Sequence, residues 1–408
     1  MSEHLGSLIS KRRWIVPMRA RGADEKHRAA TPLELFFDLV FVVAVAQAAS
    51  SLHHGLAEGH LAESVLSYCM VFFAIWWAWM NFTWFASAYD TDDVPYRLAV
   101  FVQLTGALIL AVGVPAAFSE QNFAIVTAGY IVMRLALVAQ WLRAARSDPS
   151  HRVTAHRYAI GITACQIGWI ALLFIPTAWR LIGFGVMVIA ELLVPIVSER
   201  PRVTAWHPGH IAERYGLFTI IVLGESILSA SQAIQSAIQS GDFNTDLAAI
   251  VVGGLLIVFS LWWLYFDQPS EDLLTSLRAA LVWGYGHLFI FASAAAVGSG
   301  LAVAVDQATH HAEVGAMVAG ALVTTPVAIY LLGLWALHRL PHAKRRSQIL
   351  LLPIGAVLIL VTPLVGQAVL LTGLLVSALL AIELFNRYRK AVLVDSAGSA
   401  DLVSKLER

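Results

Sequence analysis

Residues 96–118 read YRLAVFVQLTGALILAVGVPAAF, a run whose one charge, Arg97, sits at its leading edge. A helix rises about 1.5 Å per residue, and about 20 apolar residues cross the hydrocarbon core of a bilayer. This stretch is therefore a membrane span. Working outward, the same reading gives about twelve segments: 33–53, 61–87, 96–118, 122–146, 155–175, 178–197, 211–236, 245–267, 277–305, 313–339, 347–366 and 367–388. The two short hairpins, at Pro176 and Gly366, can each form two spans or one re-entrant element. Composition agrees with the segment count. The 408 residues are 58% hydrophobic and 13% charged, with mean hydropathy +0.71. A soluble domain carries about 45–50% apolar and about 25% charged residues. The chain is thus all-α, a polytopic membrane helical bundle, and not a soluble enzyme, a disordered chain or a nucleic-acid binder.

Charge places the loops. Cytoplasmic helix ends collect Lys and Arg. The basic groups are Lys11, Arg12, Arg13, Arg19, Arg21, Lys26 and Arg28; Arg143, Arg146, Arg152 and Arg157; Arg200 and Arg202; Arg339, Lys344, Arg345 and Arg346; and Arg387, Arg389 and Lys390. With twelve spans all fall on one side, so both termini are expected in the cytoplasm. The opposite loops hold no Lys or Arg, with Arg180 as the one exception. No secretory signal peptide is visible, because the first apolar run holds Glu34 and Asp38. Net charge is zero and points to no partner beyond membrane lipids. Cys69 and Cys165 lie in apolar runs and fit neither a disulfide framework nor a metal pattern.

Landmarks recur in order. Glu34 and Glu213 are 179 residues apart, Trp76 and Trp262 are 186 apart, Arg97 and Arg278 are 181 apart, and Glu191 and Glu383 are 192 apart. Acidic loops at 90–93 and 267–272 precede the two Arg residues. The expected organisation is a basic segment 1–32, a six-helix repeat 33–198, a linker 199–210, a second six-helix repeat 211–390 and a polar tail 391–408. Six spans per half make the two repeats parallel, an arrangement used by secondary transporters, with sites between the halves.

Two motifs are distinctive: Thr31-Pro32-Leu33-Glu34-Leu35-Phe36-Phe37-Asp38-Leu39-Val40-Phe41-Val42, and His210-Ile211-Ala212-Glu213-Arg214-Tyr215-Gly216-Leu217-Phe218-Thr219 continuing to Leu223-Gly224-Glu225-Ser226-Ile227. Together they resemble the bacterial low-temperature-requirement A (LtrA) family across most of the chain. The resemblance implies a multi-span bacterial cell-membrane protein with a role in growth in the cold. It brings no catalytic residues with it.

Ionisable groups at membrane depth cost about 2.5–3.5 kcal/mol each on insertion scales, so each is a candidate site residue. Glu34 and Asp38, four apart, share a helical face where two carboxylates in low dielectric can hold a proton or cation. His210 lies within i+3 and i+4 reach of Glu213 and Arg214, a proton-switch arrangement or an interfacial ion cluster. Glu225 stands about 18 Å beyond Glu213 along the helix, near mid-membrane, and is the leading single candidate. Gln47 lies near the equivalent position in the first half. Arg134 is a counter-ion for Asp38 or Glu225, and His287 is a further deep polar group. Gln103, Gln140 and Gln166 read as glue between helices, while Glu191 and Glu383 read as partners of nearby Arg. The Trp pairs at 76–77 and 262–263 read as anchors or packing.

No Walker A, HExxH, CxxCH or GxSxG motif occurs. Histidines 53, 54, 60, 310 and 311 lie in loops, where they can be solvated or collect a metal. No cofactor is expected. The sequence therefore points to a secondary transporter or permeation protein for an unidentified solute or ion, coupled to protons or another cation. A membrane enzyme acting on a hydrophobic substrate, or a non-catalytic sensor or scaffold, remains open. Oligomeric state is not readable.

Overall fold

The structure, a computed structural model, describes residues 14–22, 25, 28–342 and 346–406. Among these there is no strand. Lys11, Arg12, Arg13, Lys26, Lys344 and Arg345 of the topology argument lie outside the described residues.

Twelve α-helices run back and forth. The first six are α1 (Pro32–Ala57), α2 (Leu61–Tyr89), α3 (Val94–Ser119), α4 (Ala124–Ser147), α5 (Arg152–Leu172) and α6 (Thr177–Ser198). The second six are α7 (Pro208–Gln239), α8 (Thr245–Phe266), α9 (Leu277–Ala308), α10 (Ala316–Leu334), α11 (Arg346–Val361) and α12 (Ala368–Leu406). Both hairpins that were open in the sequence are pairs of separate helices, broken at Pro176 and at Gly366, whose φ of +85° suits glycine. Helix α12 runs on as far as Leu406. Ten helices are long and apolar enough to cross a membrane. The exceptions are α5, which carries Arg152, His156 and Arg157 in its first turns, and α11, whose apolar stretch is short.

Local chemistry sets the starts. Thr31 caps α1 reciprocally with Glu34, and Pro32 occupies the first turn. Asp93, Asn244 and Ser276 cap α3, α8 and α9 by accepting from the backbone amide three residues on. A π turn at Trp335–Arg339 extends α10 and carries His338 and Arg339 inward.

Helix α9 is the central post. Ser299 donates to the Ala49 carbonyl on α1 at 2.8 Å, Ser226 of α7 donates to the Ala294 carbonyl at 2.7 Å, and Tyr68 of α2 donates to the Ala292 carbonyl at 2.6 Å. Residues 14–22, 25 and 28–31 lie as a strap across one end of the bundle. The Val16 amide donates to Asp93, the Ala20 amide to Asp148 (3.3 Å), the Arg21 amide to the Ala88 carbonyl (2.9 Å) and the Ala30 amide to Glu213 (3.1 Å). Burial opposes ionisation of Asp148, but the Ser150 hydroxyl, His151 and the Ala20 amide outweigh it and hold the carboxyl at about 2.

Helices α3 and α4 cross through glycine. A Cβ on Gly129 would lie 2.3 Å from the Leu110 amide nitrogen and 2.5 Å from the Gly106 carbonyl oxygen. Backbone atoms cannot swing aside, and overpacking costs about 1–3 kcal/mol or more. Gly129→Val is therefore expected to lower the melting temperature in detergent by several degrees. Gly185→Ala, where a Cβ meets open space, should leave it unchanged.

Candidate functional site

The strap, α1, α2 and α7 meet in a fully buried ion network. Asp38 receives two bonds from one guanidinium, Arg214 Nη2 at 2.5 Å and Nε at 3.1 Å, and a third from Trp79 Nε1 at 2.7 Å. Arg214 Nη1 and His210 Nε2 each lie 3.1 Å from Glu34 Oε1. Arg28 of the strap approaches that same oxygen at 3.8 Å and donates to the Ala86 carbonyl at 2.5 Å. The other Glu34 oxygen accepts from the Thr31 amide at 2.8 Å, so one carboxylate both caps α1 and enters the network. Glu34, Asp38, His210 and Arg214 are all completely buried.

The helical period explains who takes part. With 100° per residue, His210, Arg214 and Glu225 fall within one narrow arc of α7. Glu213 falls outside it, is exposed, and instead holds the strap through the Ala30 amide. Glu225 lies about 16 Å beyond Arg214 on the same face. It is buried, with Ser229 donating to it at 3.1 Å and no cation within ion-pair reach among the described residues. Between them stands an aromatic layer. Phe218 stacks on Trp79 with centroids 4.3 Å apart and meets Phe291 edge-on at 5.0 Å.

Other sequence candidates fall elsewhere. Arg134 is not the counter-ion of Asp38 or Glu225. It pairs with Glu191 at 2.9 Å, because α4 packs on α5 and α5 on α6, which brings this carboxylate within reach of the guanidinium. Glu191 also accepts from Tyr130 (2.8 Å), Trp77 (2.9 Å), Trp169 (3.1 Å) and Gln166 (3.4 Å), which together form a second buried knot. Gln47 does not approach Glu225. Thirteen residues turn it about 220° from Glu34, onto the exposed side of α1. His287 sits apart from the network, fully buried. Its Nδ1 lies 2.8 Å from the Trp283 carbonyl, which can only accept, so the ring proton is there and Nε2 accepts from Tyr265 at 3.0 Å. Arg339 pairs with Glu383 at 2.8 Å and Asp267 at 3.3 Å, and Arg387 also pairs with Asp267. Gln103 donates to Gln140 at 2.8 Å, joining α3 to α4. Trp76, Trp77 and Trp79 are buried, whereas Trp262 and Trp263 are half exposed. Among the described residues no group of three His, Cys, Asp or Glu is placed to hold a metal, and His53 is instead paired with Asp306 at 2.6 Å.

Three participants were weighted too lightly in the sequence. In the sequence Arg214 stands out only as a neighbour of His210, Arg28 only as one basic residue among many, and Trp79 only as one of a run of tryptophans. The usable signal was the pairing of an acidic and a basic motif at the starts of α1 and α7.

A bundle of this kind, with buried ion pairs between long apolar helices, is an integral polytopic membrane protein. The family model described as bacterial low temperature requirement A protein (LtrA) matches residues 29–384, and the chain belongs to that family. A relative from Rhizobium meliloti (strain 1021), itself described as uncharacterized, is 30% identical over 289 residues, covering 66% of this chain and 68% of its own length.

Two predictions follow from this geometry. Removing one partner of a buried ion pair strands the other and costs about 3–5 kcal/mol. Asp38→Ala is thus expected to lower the melting temperature far more than Glu213→Ala, read side by side in detergent. The second concerns Asp90, at the rim of the network. Burial, reinforced by the Glu34 charge, pushes its carboxyl up to about 6. A raised carboxyl pKa means that the folded chain holds a proton the unfolded chain releases above about 4. This contribution to stability is present at low pH and is lost as pH rises to about 6. The melting temperature should fall between pH 4.5 and 6.5 in the wild type, and less steeply in Asp90→Asn.

Proposed function

We propose that the protein is a secondary transporter or related permeation protein of the bacterial cell membrane, in which protons or another cation couple through Glu34, Asp38, His210 and Glu225. The observation that carries this reading is the α1–α7 network. It joins the first helix of each half by ion pairs, and it is separated from the lone acid Glu225 by the Trp79–Phe218–Phe291 layer. A cation arriving at Glu225 meets a carboxylate with no cationic partner. Beyond the aromatic layer it meets acids already neutralised by Arg214. Opening one side therefore requires that charge partners change, the condition for a two-state element.

The two halves are read as parallel repeats, 33–198 and 211–390. Supporting this, α4 and α6 are joined by Arg134–Glu191 and α10 and α12 by Arg339–Glu383, at 2.9 and 2.8 Å. Both termini are assigned to the cytoplasm from the pattern of basic loops in the sequence. A role in cold growth is what the family's name suggests.

The test uses protons as the probe. Proteoliposomes loaded with a pH-sensitive dye receive a potassium diffusion potential through valinomycin. The wild type is expected to pass protons above the empty-liposome rate. Glu225→Gln should lose most of that flux while keeping its melting temperature, and Phe218→Ala should raise it. Wild-type flux at the empty-liposome rate, with either pH gradient, would remove proton coupling and leave the network a structural joint.

A further inference from the structure

A cavity of about 440 Å³ opens at the end of the bundle away from the strap, among α2, α4, α5 and α6. Clefts of roughly 300–1,000 Å³ hold drug-sized ligands. Its walls are apolar, with Met70, Phe73, Leu172 and Phe184 among them, and its floor is Tyr130 and Trp169. Both floor residues spend their polar atoms on Glu191, so they turn only ring surface to the cavity. The cavity is held open by the helices around it. Helices α8 and α12 close on each other through glycine, where a Cβ on Gly253 would lie 2.6 Å from the Val369 carbonyl. Helices α2 and α6 are kept apart instead by bulky rings, with Phe73 and Phe184 edge to face at 6.1 Å.

The mouth is chemically different. Arg180 and Glu120 both line it. Arg180, in the first turn of α6, is the one Lys or Arg at this end, the exception to the basic-side pattern. Its Nε donates to the Ile175 carbonyl at 3.0 Å, which fixes the guanidinium plane and leaves the two Nη groups for another acceptor. Arg180 and Glu120 form no ion pair with each other or with any described residue. One positive and one negative group, unpaired, stand at the rim of an apolar sleeve.

We propose that this cavity is a binding site for a zwitterionic lipid, which seats one acyl chain between α2 and α6, its phosphate at Arg180 and its ammonium at Glu120. The site neither uses the α1–α7 network nor depends on the transport reading. Apolar burial of the acyl chain supplies the affinity. The rim selects the head group: Arg180 favours phosphate and Glu120 favours a head group carrying its own cation.

The test is quenching of tryptophan fluorescence in the purified full chain by lysophosphatidylethanolamine brominated on its chain, with lysophosphatidylglycerol of the same chain as the anionic comparison. Trp169→Phe serves as the spectral blank. Saturable quenching of the Trp169 component is expected, with the ethanolamine lipid preferred. Arg180→Gln should weaken both lipids by about tenfold, the loss of one charge-assisted bond. Glu120→Gln, at an exposed position, should weaken only the ethanolamine lipid, by about two- to fivefold. Ala74→Phe, which fills the sleeve, should abolish saturation. Three results would overturn the proposal: quenching that rises without saturation, equal binding of the two lipids in the wild type, or binding unchanged in both rim variants. The rim variants lie outside the packed core, so they report even if Ala74→Phe does not fold.

Discussion

A guanidinium that reaches no water must be met by charge, and Arg214 sets that condition for the strap end of this bundle. Its side chain is completely buried, so its donors have to be matched within the helices around it. Asp38 takes two donors face-on and Glu34 stands at the third nitrogen. Such a clamp fixes the rotation and the axial register of α1 against α7, because a slip of one residue swings the carboxylates about 100° away. Trp79 then has one place to put its indole N–H, and α2 is fixed as well. The strap follows. Its Arg28 is needed beside Glu34, and its backbone is tied down on either side by Asp93, Asp148 and Glu213.

The chain solves the problem of buried charge in two ways. At Glu191 a single carboxylate is surrounded by five donors, four of them neutral. Such a group is held from all sides: Glu191 sits on α6 and its partners on α2, α4 and α5, so the knot locks four helices together. The Asp38–Arg214 network has fewer neutral donors, more full charges and an imidazole. Several of its polar atoms are close to a partner without a well-directed hydrogen bond, including His210 Nε2 and Arg214 Nη1. A network of charges with loose directional bonds can exchange partners at lower cost than a carboxylate saturated by fixed donors. The contrast separates a joint that locks α2, α4, α5 and α6 from one held between α1 and α7 by less directed bonds.

Much of the fold was legible because membrane helices are written in composition. Segment ends agree with the helices to within a few residues at Leu61, Thr245 and Leu277, where a polar turn and a cap interrupt a long apolar run. The candidate site was legible in part. Glu34, Asp38 and His210 stood out as charges where lipid-embedded helices carry few, and they meet. Partner choice was not legible. Arg134 was open to any deep carboxylate in one dimension, and only the packing of α4 and α6 on opposite flanks of α5 gives it Glu191. Gln47 failed for a different reason. A repeat fixes depth along a helix, yet the direction of a side chain depends on the residue count from the buried face, and that count turns Gln47 outward. Trp79 was hidden among three neighbouring tryptophans of equal apparent standing, since nothing in the sequence marks which indole finds a carboxylate.

Charge balance gives the network its sharpest constraint. Arg28 and Arg214 face Glu34 and Asp38, two against two, with His210 between them and Asp90 at the rim. Taken with a neutral imidazole, that core is balanced. One proton added to His210 or to either carboxylate leaves a full unit of uncompensated positive charge where the medium screens poorly, and the interaction energy of close charges there is several kcal/mol. The strap offers the easiest release, since Arg28 holds Glu34 at 3.8 Å against 3.1 Å for Arg214, and its remaining guanidinium nitrogens have no hydrogen-bond partner. Proton arrival and loosening of the strap are thus linked by electrostatics alone. The weakest charge contact in the network is the one made by the segment that lies outside the membrane-spanning helices.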